Sequence, residues 1–177
     1  ECPCLPIVNL RGPPGSGKSR AATCALYTSF RGMRASGNAS FSSIFRAVER
    51  WSGTLVINES DMKNSTETSD MIKYLNERYE RGGVVWRTNK DTMKEEAFRA
   101  FGPTILTTRT AFQDDALESR CLTISTKETA REDILLNLPP EFYVEAQDLR
   151  NKLLLFRLRH LMEFTNAVSY THLRAHE

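Results

Sequence analysis

Eight consecutive residues, Gly12-Pro13-Pro14-Gly15-Ser16-Gly17-Lys18-Ser19, carry the clearest chemistry in the chain. They fit a glycine, four residues and then Gly-Lys-Ser, the spacing of a loop that wraps a phosphate chain. Glycines are needed there because a Cβ would keep the backbone N–H groups from closing on phosphate oxygens. Lys18 supplies a compact charge for β- and γ-phosphates, and the Ser19 hydroxyl is placed to ligate Mg²⁺. The pattern predicts ATP and Mg²⁺ as ligands.

A site of this kind needs a second strand ending beside the loop in acidic residues. Thr54-Leu55-Val56-Ile57 is an apolar run of the sort a parallel sheet buries on both faces, and it ends in Asn58-Glu59. Glu59 occupies the position that polarises an attacking water, whereas Asn58 stands where a metal-ordering carboxylate belongs. An amide can accept a hydrogen bond from Mg²⁺-bound water but adds no negative charge. The expectation is a nucleotide binder with weakened Mg²⁺ affinity or slow turnover.

The elements that must position these groups follow from the hydrophobic pattern. Leu5 to Leu10 reads as a buried strand entering the glycine loop, and Lys18 to about Phe30 as the helix leaving it. Gly32 to Ser40 reads as a loop, and Ile44, Phe45, Val48 and Trp51 mark a second helix. Asn64 to Asp70 is polar and cap-like, ahead of a third helix carrying Met71, Ile72, Leu75 and Tyr79. Val84–Arg87 and Glu96–Arg99 flank a polar stretch as two strands of a hairpin. Thr104–Thr107 and Cys121–Ser125 read as strands, with a turn or short helix at Asp114–Ser119 between them. From Arg131 the pattern is helical, broken at Pro139-Pro140, with Leu149, Leu153, Phe156, Leu158 and Leu161 in its apolar positions. Trp51 and Trp86 each sit within an apolar pattern and are expected to pack. Strands alternating with helices predict an α/β fold around a parallel central sheet.

Bulk properties narrow the function classes. With 177 residues, 40% hydrophobic and 26% charged, the chain is one globular domain, or one domain with a fragment of another. No apolar run is long enough to span a membrane, and no signal-peptide pattern opens the chain. The 24 basic and 22 acidic side chains nearly balance, so any nucleic-acid contact must be local. Residues 1–60 hold seven of the basic against three of the acidic ones, an excess near the glycine loop. The four cysteines lack zinc-site spacing and read as free thiols in a reducing, cytoplasmic setting. A chain that opens on Glu1 is expected to be a piece of something longer.

These motifs and their spacing resemble the AAA+ class of P-loop ATPases over residues 5–160. Within Asp114 to Cys121, Ser119-Arg120-Cys121 is similar to the Ser-Arg-Cys motif of clamp-loader-type members. That likeness implies a homo-oligomeric ring in which Arg120 enters the neighbouring subunit's ATP site as an arginine finger, a role suited to a permanently charged fork. The other reading is an Arg120 salt-bridged to Asp114 or Asp115 on a surface turn. Thr104–Thr108 resembles the sensor-one strand, which implies that Thr107 or Thr108 orients the lytic water. Arg109 then either contacts phosphate or caps the strand.

A longer signature, Leu75-Asn76, Gly82-Gly83, Arg87, Phe101-Gly102-Pro103 and Leu117 to Cys121, resembles primase- and helicase-linked replication ATPases of plasmids, phages and other mobile elements. It implies a three-layer P-loop NTPase with a hairpin insertion that grips DNA through Lys90 and Lys94; Asp91, Glu95 and Glu96 leave a merely solvated hairpin as the alternative. The implied organisation is an ATPase core over 1–130, the start of a truncated helical lid over 131–167, with Arg157 or Arg159 as its phosphate sensor, and a tail over 168–177 that resembles a translated sequencing adapter. The implied activity is ATP hydrolysis in a DNA helicase or related motor. A nucleotide-gated switch or loader with little hydrolysis is the alternative, and a small-molecule kinase a third.

Overall fold

A computed structural model describes residues 3–36, 40–58, 66–89, 92–131, 133–134 and 137–173, without the side chains of 36, 41, 66–68 and 162–173. Strand β1 (Ile7–Arg11) leads through the glycine loop into helix α1 (Lys18–Thr28), followed by β2 (Met33–Ser36), α2 (Phe41–Trp51) and β3 (Leu55–Asn58). Helix α3 (Thr66–Tyr79) precedes a hairpin of β4 (Val84–Thr88) and β5 (Glu95–Arg99). Strand β6 (Thr104–Thr108), the short α4 (Asp115–Ser119), β7 (Cys121–Ser125) and the long α5 (Glu141–Leu173) complete the order.

The five strands β2-β3-β6-β1-β7 form one sheet, and every pairing in it is parallel. Strand β6 therefore lies between β1 and β3, so the loop after β1 and the end of β3 flank it. Side-chain alternation sorts the core into two faces. Ile7, Leu55, Ile57 and Leu106 point to one side, where Ile44, Phe45 and Val48 of α2, Tyr74 and Leu75 of α3 and Leu117 of α4 cover them. Leu10 and Val56 point to the other, with Val8 and Ile105, against Ala22 and Leu26 of α1. Helix α5 lies on α1 through edge-on ring contacts of Tyr27 with Phe142 and Tyr143, at centroid distances of 6.4 and 4.9 Å.

The hairpin is a separate two-stranded antiparallel sheet on the α2–α3 side. Phe98 packs on Phe45 with centroids 4.7 Å apart, and Arg87 pairs with Asp70 of α3 at 3.0 Å. Its base is sewn down by Arg78 of α3, which is fully buried. The guanidinium donates to Thr104 Oγ1 (2.7 Å), Ala100 O (2.8 Å), Pro103 O (2.9 Å) and Tyr74 Oη (3.4 Å). Burial depresses the Arg78 pKa from its ordinary value, and the same desolvation raises that of Tyr74.

Four expectations need correcting. The helical pattern expected from Arg131 is not met, since the described residues among 131–140 are not helical and α5 starts at Glu141, just after Pro139-Pro140. The stretch read as a loop over 32–40 contains β2, an edge strand whose pairing to β3 is a backbone ladder and needs no apolar alternation; Ala35 is buried and Met33 packs partly buried against the core. Trp51 and Trp86 do not pack: they are 55% and 63% exposed, Trp86 on the outward hairpin face with Val84 and Thr88, and Trp51 at the last turn of α2. The apolar residues Leu149, Leu153, Phe156, Leu158 and Leu161 are likewise exposed, because α5 runs on as a helix beyond the part that rests on α1.

Candidate functional site: the glycine loop and its surroundings

The loop leaves β1 with Gly12 N–H donating to Thr108 O of β6 at 3.1 Å and turns into α1 through Gly17, whose φ of 81° is in the left-handed region. No side chain caps α1, and no acidic residue lies in its first turn. The N–H groups of that turn and the positive end of the helix thus face the loop, a ready-made anion site. Lys18 Nζ donates to Gly12 O at 2.7 Å and Pro13 O at 2.6 Å, so its charge is held over the loop itself.

Beside the loop is a cavity of about 330 Å³ lined by Pro14, Gly15, Ser16, Gly17, Lys18, Ser19, Arg20, Thr107 and Arg109. Of the two threonines that sequence left open, Thr107 is the one on this face. Thr108 points the other way, where its hydroxyl donates to Asn9 Oδ1 of β1 at 2.9 Å. Asn58 ends β3 on the same face and at the same level as Thr107, one strand away, as the Ile57–Leu106 pairing shows. It is buried, and its Oδ1 has no hydrogen-bond partner among the described residues. Glu59 and Lys90 lie outside the described residues.

Arg120 is not brought to this cavity. It precedes Cys121, which pairs with Ile7, whereas the loop follows Arg11, which pairs with Ser125. The two lie at opposite ends of five-residue strands, roughly 15 Å apart at 3.3 Å per residue. Neither Asp114 nor Asp115 is its partner: Arg120 donates from Nη1 to Ala116 O at 2.9 Å, and its guanidinium sits 5.5 Å from the centre of the Tyr79 ring. Asp114 instead caps α4, accepting from Leu117 N–H at 2.6 Å. Lys94 is exposed at the hairpin turn, its carbonyl accepting from Asn89 N–H at 2.8 Å.

Sequence reasoning missed the groups that brace the loop. Arg11 donates to both oxygens of Glu118 of α4, at 2.5 and 2.7 Å, and Phe112 N–H donates to the same carboxylate at 3.1 Å. The Arg11 hydrogen bond holds the Glu118 carboxyl below its ordinary pKa. A depressed folded-state pKa stabilises the fold above the unfolded value and loses that contribution as pH falls through the folded one. The carboxylate is about one-third exposed, so the neutral-pH contribution is discounted to about 1 kcal/mol. Glu118→Gln is expected to lower the melting temperature at pH 7 and to flatten its fall between roughly pH 5 and 3; parallel melting curves of mutant and wild type would count against the pairing.

Among the described residues, no cluster of His, Cys, Asp and Glu could hold a metal ion. The neutral oxygens of Ser19 and Asn58 fit a cation that brings its own anionic ligands, as Mg²⁺ does with phosphate oxygens. No helix among the described residues is long and apolar enough to cross a membrane.

No protein-family profile matches the chain, and no curated protein matches it. Solved structures do. A JCV helicase bound to a thiazolopyridinyl-phenoxyphenyl acetamide aligns over 72% of this chain with 17% identity and a TM-score of 0.49. A second JCV helicase structure, with an inhibitor bound, aligns over 72% with 16% identity and a TM-score of 0.44. The chain spans 37% of the length of either helicase chain.

Proposed function

We propose that this chain is the ATP-binding core of an AAA+-like P-loop ATPase in which Gly12 to Ser19 bind the phosphates of Mg·ATP. The observation that carries the reading is the cavity where the glycine loop, the uncapped end of α1 and Thr107 converge. The strand order supports it too, since β6 separates the loop-bearing strand from the one ending in Asn58. Lys18 exchanges the carbonyls of Gly12 and Pro13 for phosphate oxygens, and the backbone N–H groups of the loop and α1 neutralise the remaining charge. Thr107 holds a water by its hydroxyl, with Glu59 as the base that takes its proton. Mg²⁺, when bound with the nucleotide, supplies charge neutralisation between phosphates, with Ser19 and Asn58 as the chain's own oxygens toward it.

Arg120 serves a neighbouring subunit's site in this reading, because its own loop is at the far end of the sheet. A homo-oligomeric ring follows, with the hairpin and its Lys90 and Lys94 toward DNA. A second reading, a nucleotide-gated switch with little turnover, is favoured by the buried neutral Asn58. Steady-state ATP hydrolysis with and without single-stranded DNA tests both. A motor is stimulated by the strand and a switch is not. Asn58→Asp is expected to raise turnover about ten-fold and lower the Mg²⁺ concentration needed, since a carboxylate beside the cation is worth about 1.4 kcal/mol or more. Equal rates and Mg²⁺ dependence in mutant and wild type would remove Asn58 from the metal site.

A further inference from the structure

We infer that Thr126, the first residue after β7, is a positioning residue for the phosphate loop and holds it to the β1–β7 pair through Ser16. The inference rests on the nucleotide-binding reading above and adds to it a residue outside the motif.

Thr126 meets the loop closely. Its backbone N–H donates to Arg11 O at 2.7 Å, prolonging the β1–β7 ladder by one bond. Its Oγ1 lies 3.1 Å from Arg11 O and 2.8 Å from Ser16 Oγ. A Cβ on Gly12 would stand 2.3 Å from Thr126 Oγ1 and 2.4 Å from Thr126 O, so the first glycine of the loop is needed for this approach as well as for phosphate. The Ser16 hydroxyl in turn lies 2.8 Å from Pro13 O, the carbonyl that Lys18 also holds.

Counting protons shows how the contact is made. Ser16 and Thr126 own one hydroxyl proton each, but three contacts ask for one: Ser16 to Pro13 O, Thr126 to Arg11 O, and the contact between the two hydroxyls. Only two can be hydrogen bonds at once. Pro13 O accepts from the Ser16 backbone N–H at 3.4 Å as well as from Lys18, so the Ser16 hydroxyl proton is left for Thr126, which passes its own to Arg11 O. The loop is thereby tied to the end of the β1–β7 pair by side chains as well as by backbone, and is held in the form that receives phosphate before the ligand arrives. Strand β7 is followed by Thr126 and preceded by Arg120, so the residue offered to a neighbouring site is in line with the residue that braces this chain's own loop.

The test is calorimetric titration of the 177-residue chain with Mg·ATP, alongside thermal melting by circular dichroism. Thr126→Val keeps the shape and removes the hydroxyl; it is expected to weaken ATP about five-fold, the value of one hydrogen bond. Thr126→Ser should restore affinity to within about two-fold, because only the hydroxyl is at issue. Ser16→Ala should weaken binding about as much as Thr126→Val, and the double mutant no more than either single one, since both break the same link. Wild-type affinity in Thr126→Val or Ser16→Ala, additive losses in the double mutant, or a Thr126→Ser as weak as the valine variant would overturn the positioning role while leaving the nucleotide site intact. Should Thr126→Val fail to melt cooperatively, Ser16→Ala and Thr126→Ser still decide. A wild-type chain that does not bind Mg·ATP overturns the nucleotide reading, and the positioning role with it.

Discussion

Lys18→Ala is expected to weaken ATP binding by at least about 100-fold and abolish turnover, because the ammonium gives up two charge-assisted bonds worth about 1.5–3 kcal/mol each to phosphate oxygens. Its effect on folding should be small. The Lys18 partners are the carbonyls of Gly12 and Pro13 in an exposed or half-buried loop, which water can serve in its place. Melting temperature and ATP affinity should therefore separate in this variant, with the first nearly unchanged and the second lost. Calorimetry and thermal melting of the two proteins side by side check it; an alanine variant that binds ATP like wild type would eliminate the glycine loop as the phosphate site. Lys18→Arg should not rescue, since a planar fork does not replace a point charge in a cavity of about 330 Å³ packed with loop backbone.

The largest expected loss of stability is at Arg78. Its guanidinium is fully buried and serves two backbone carbonyls and two hydroxyls. Arg78→Ala leaves Ala100 O and Pro103 O without that donor and opens a cavity between α3 and β6. Together these cost about 3–5 kcal/mol, or a drop of roughly 10 °C in melting temperature for a domain of this size. Arg78→Lys should recover only part of it, because one ammonium does not replace the fixed fork that serves Thr104 from Nε, Ala100 O from Nη1 and Pro103 O from Nη2. Gly102 has a part in the same arrangement: a Cβ there would come within 3.1 Å of Arg78 Nη2. Urea unfolding of the alanine and lysine variants measures both values. A loss in Arg78→Ala below about 1 kcal/mol would mean that the hairpin base is held by its packing on Phe45 alone.

What sequence could reveal followed the range of the interactions involved. The glycine loop and α1 were legible because their chemistry is local: eight adjacent residues contain the donors, the cation and the turn glycines. The β3 and β6 strands were legible because parallel strands buried on both faces need nearly continuous apolar runs, and β7, although it is an edge strand with Leu122 and Ile124 exposed, has a similar run. Strand β2 was not, since an edge strand is held by its backbone and Met33-Arg34-Ala35-Ser36 shows no such run. Nothing near Arg78 in sequence hints that Ala100 and Pro103, more than 20 residues on, turn their carbonyls to it. Trp86 failed in the opposite direction. The strand over Val84–Arg87 was legible, but a two-stranded sheet outside the main one has only one covered face, and the tryptophan took the other. Thr126 was invisible for a related reason: 110 positions separate it from Ser16, and only the β1–β7 pairing closes that distance.

The central place of β6 also governs the order in which this protein can assemble. Val8 pairs with Ile105, and Val56 pairs with the same Ile105 from the other side. Until the ribosome has delivered Thr104 to Thr108, β1 and the β2–β3 pair have no strand to join them, and both expose apolar edges. Closing the sheet requires a contact between residues almost a hundred positions apart, the kind of long-range pairing that slows folding and leaves partly made chains open to aggregation. The segment with the phosphate chemistry is made first, but it gains a rigid floor only when a strand synthesised much later slides in beside it.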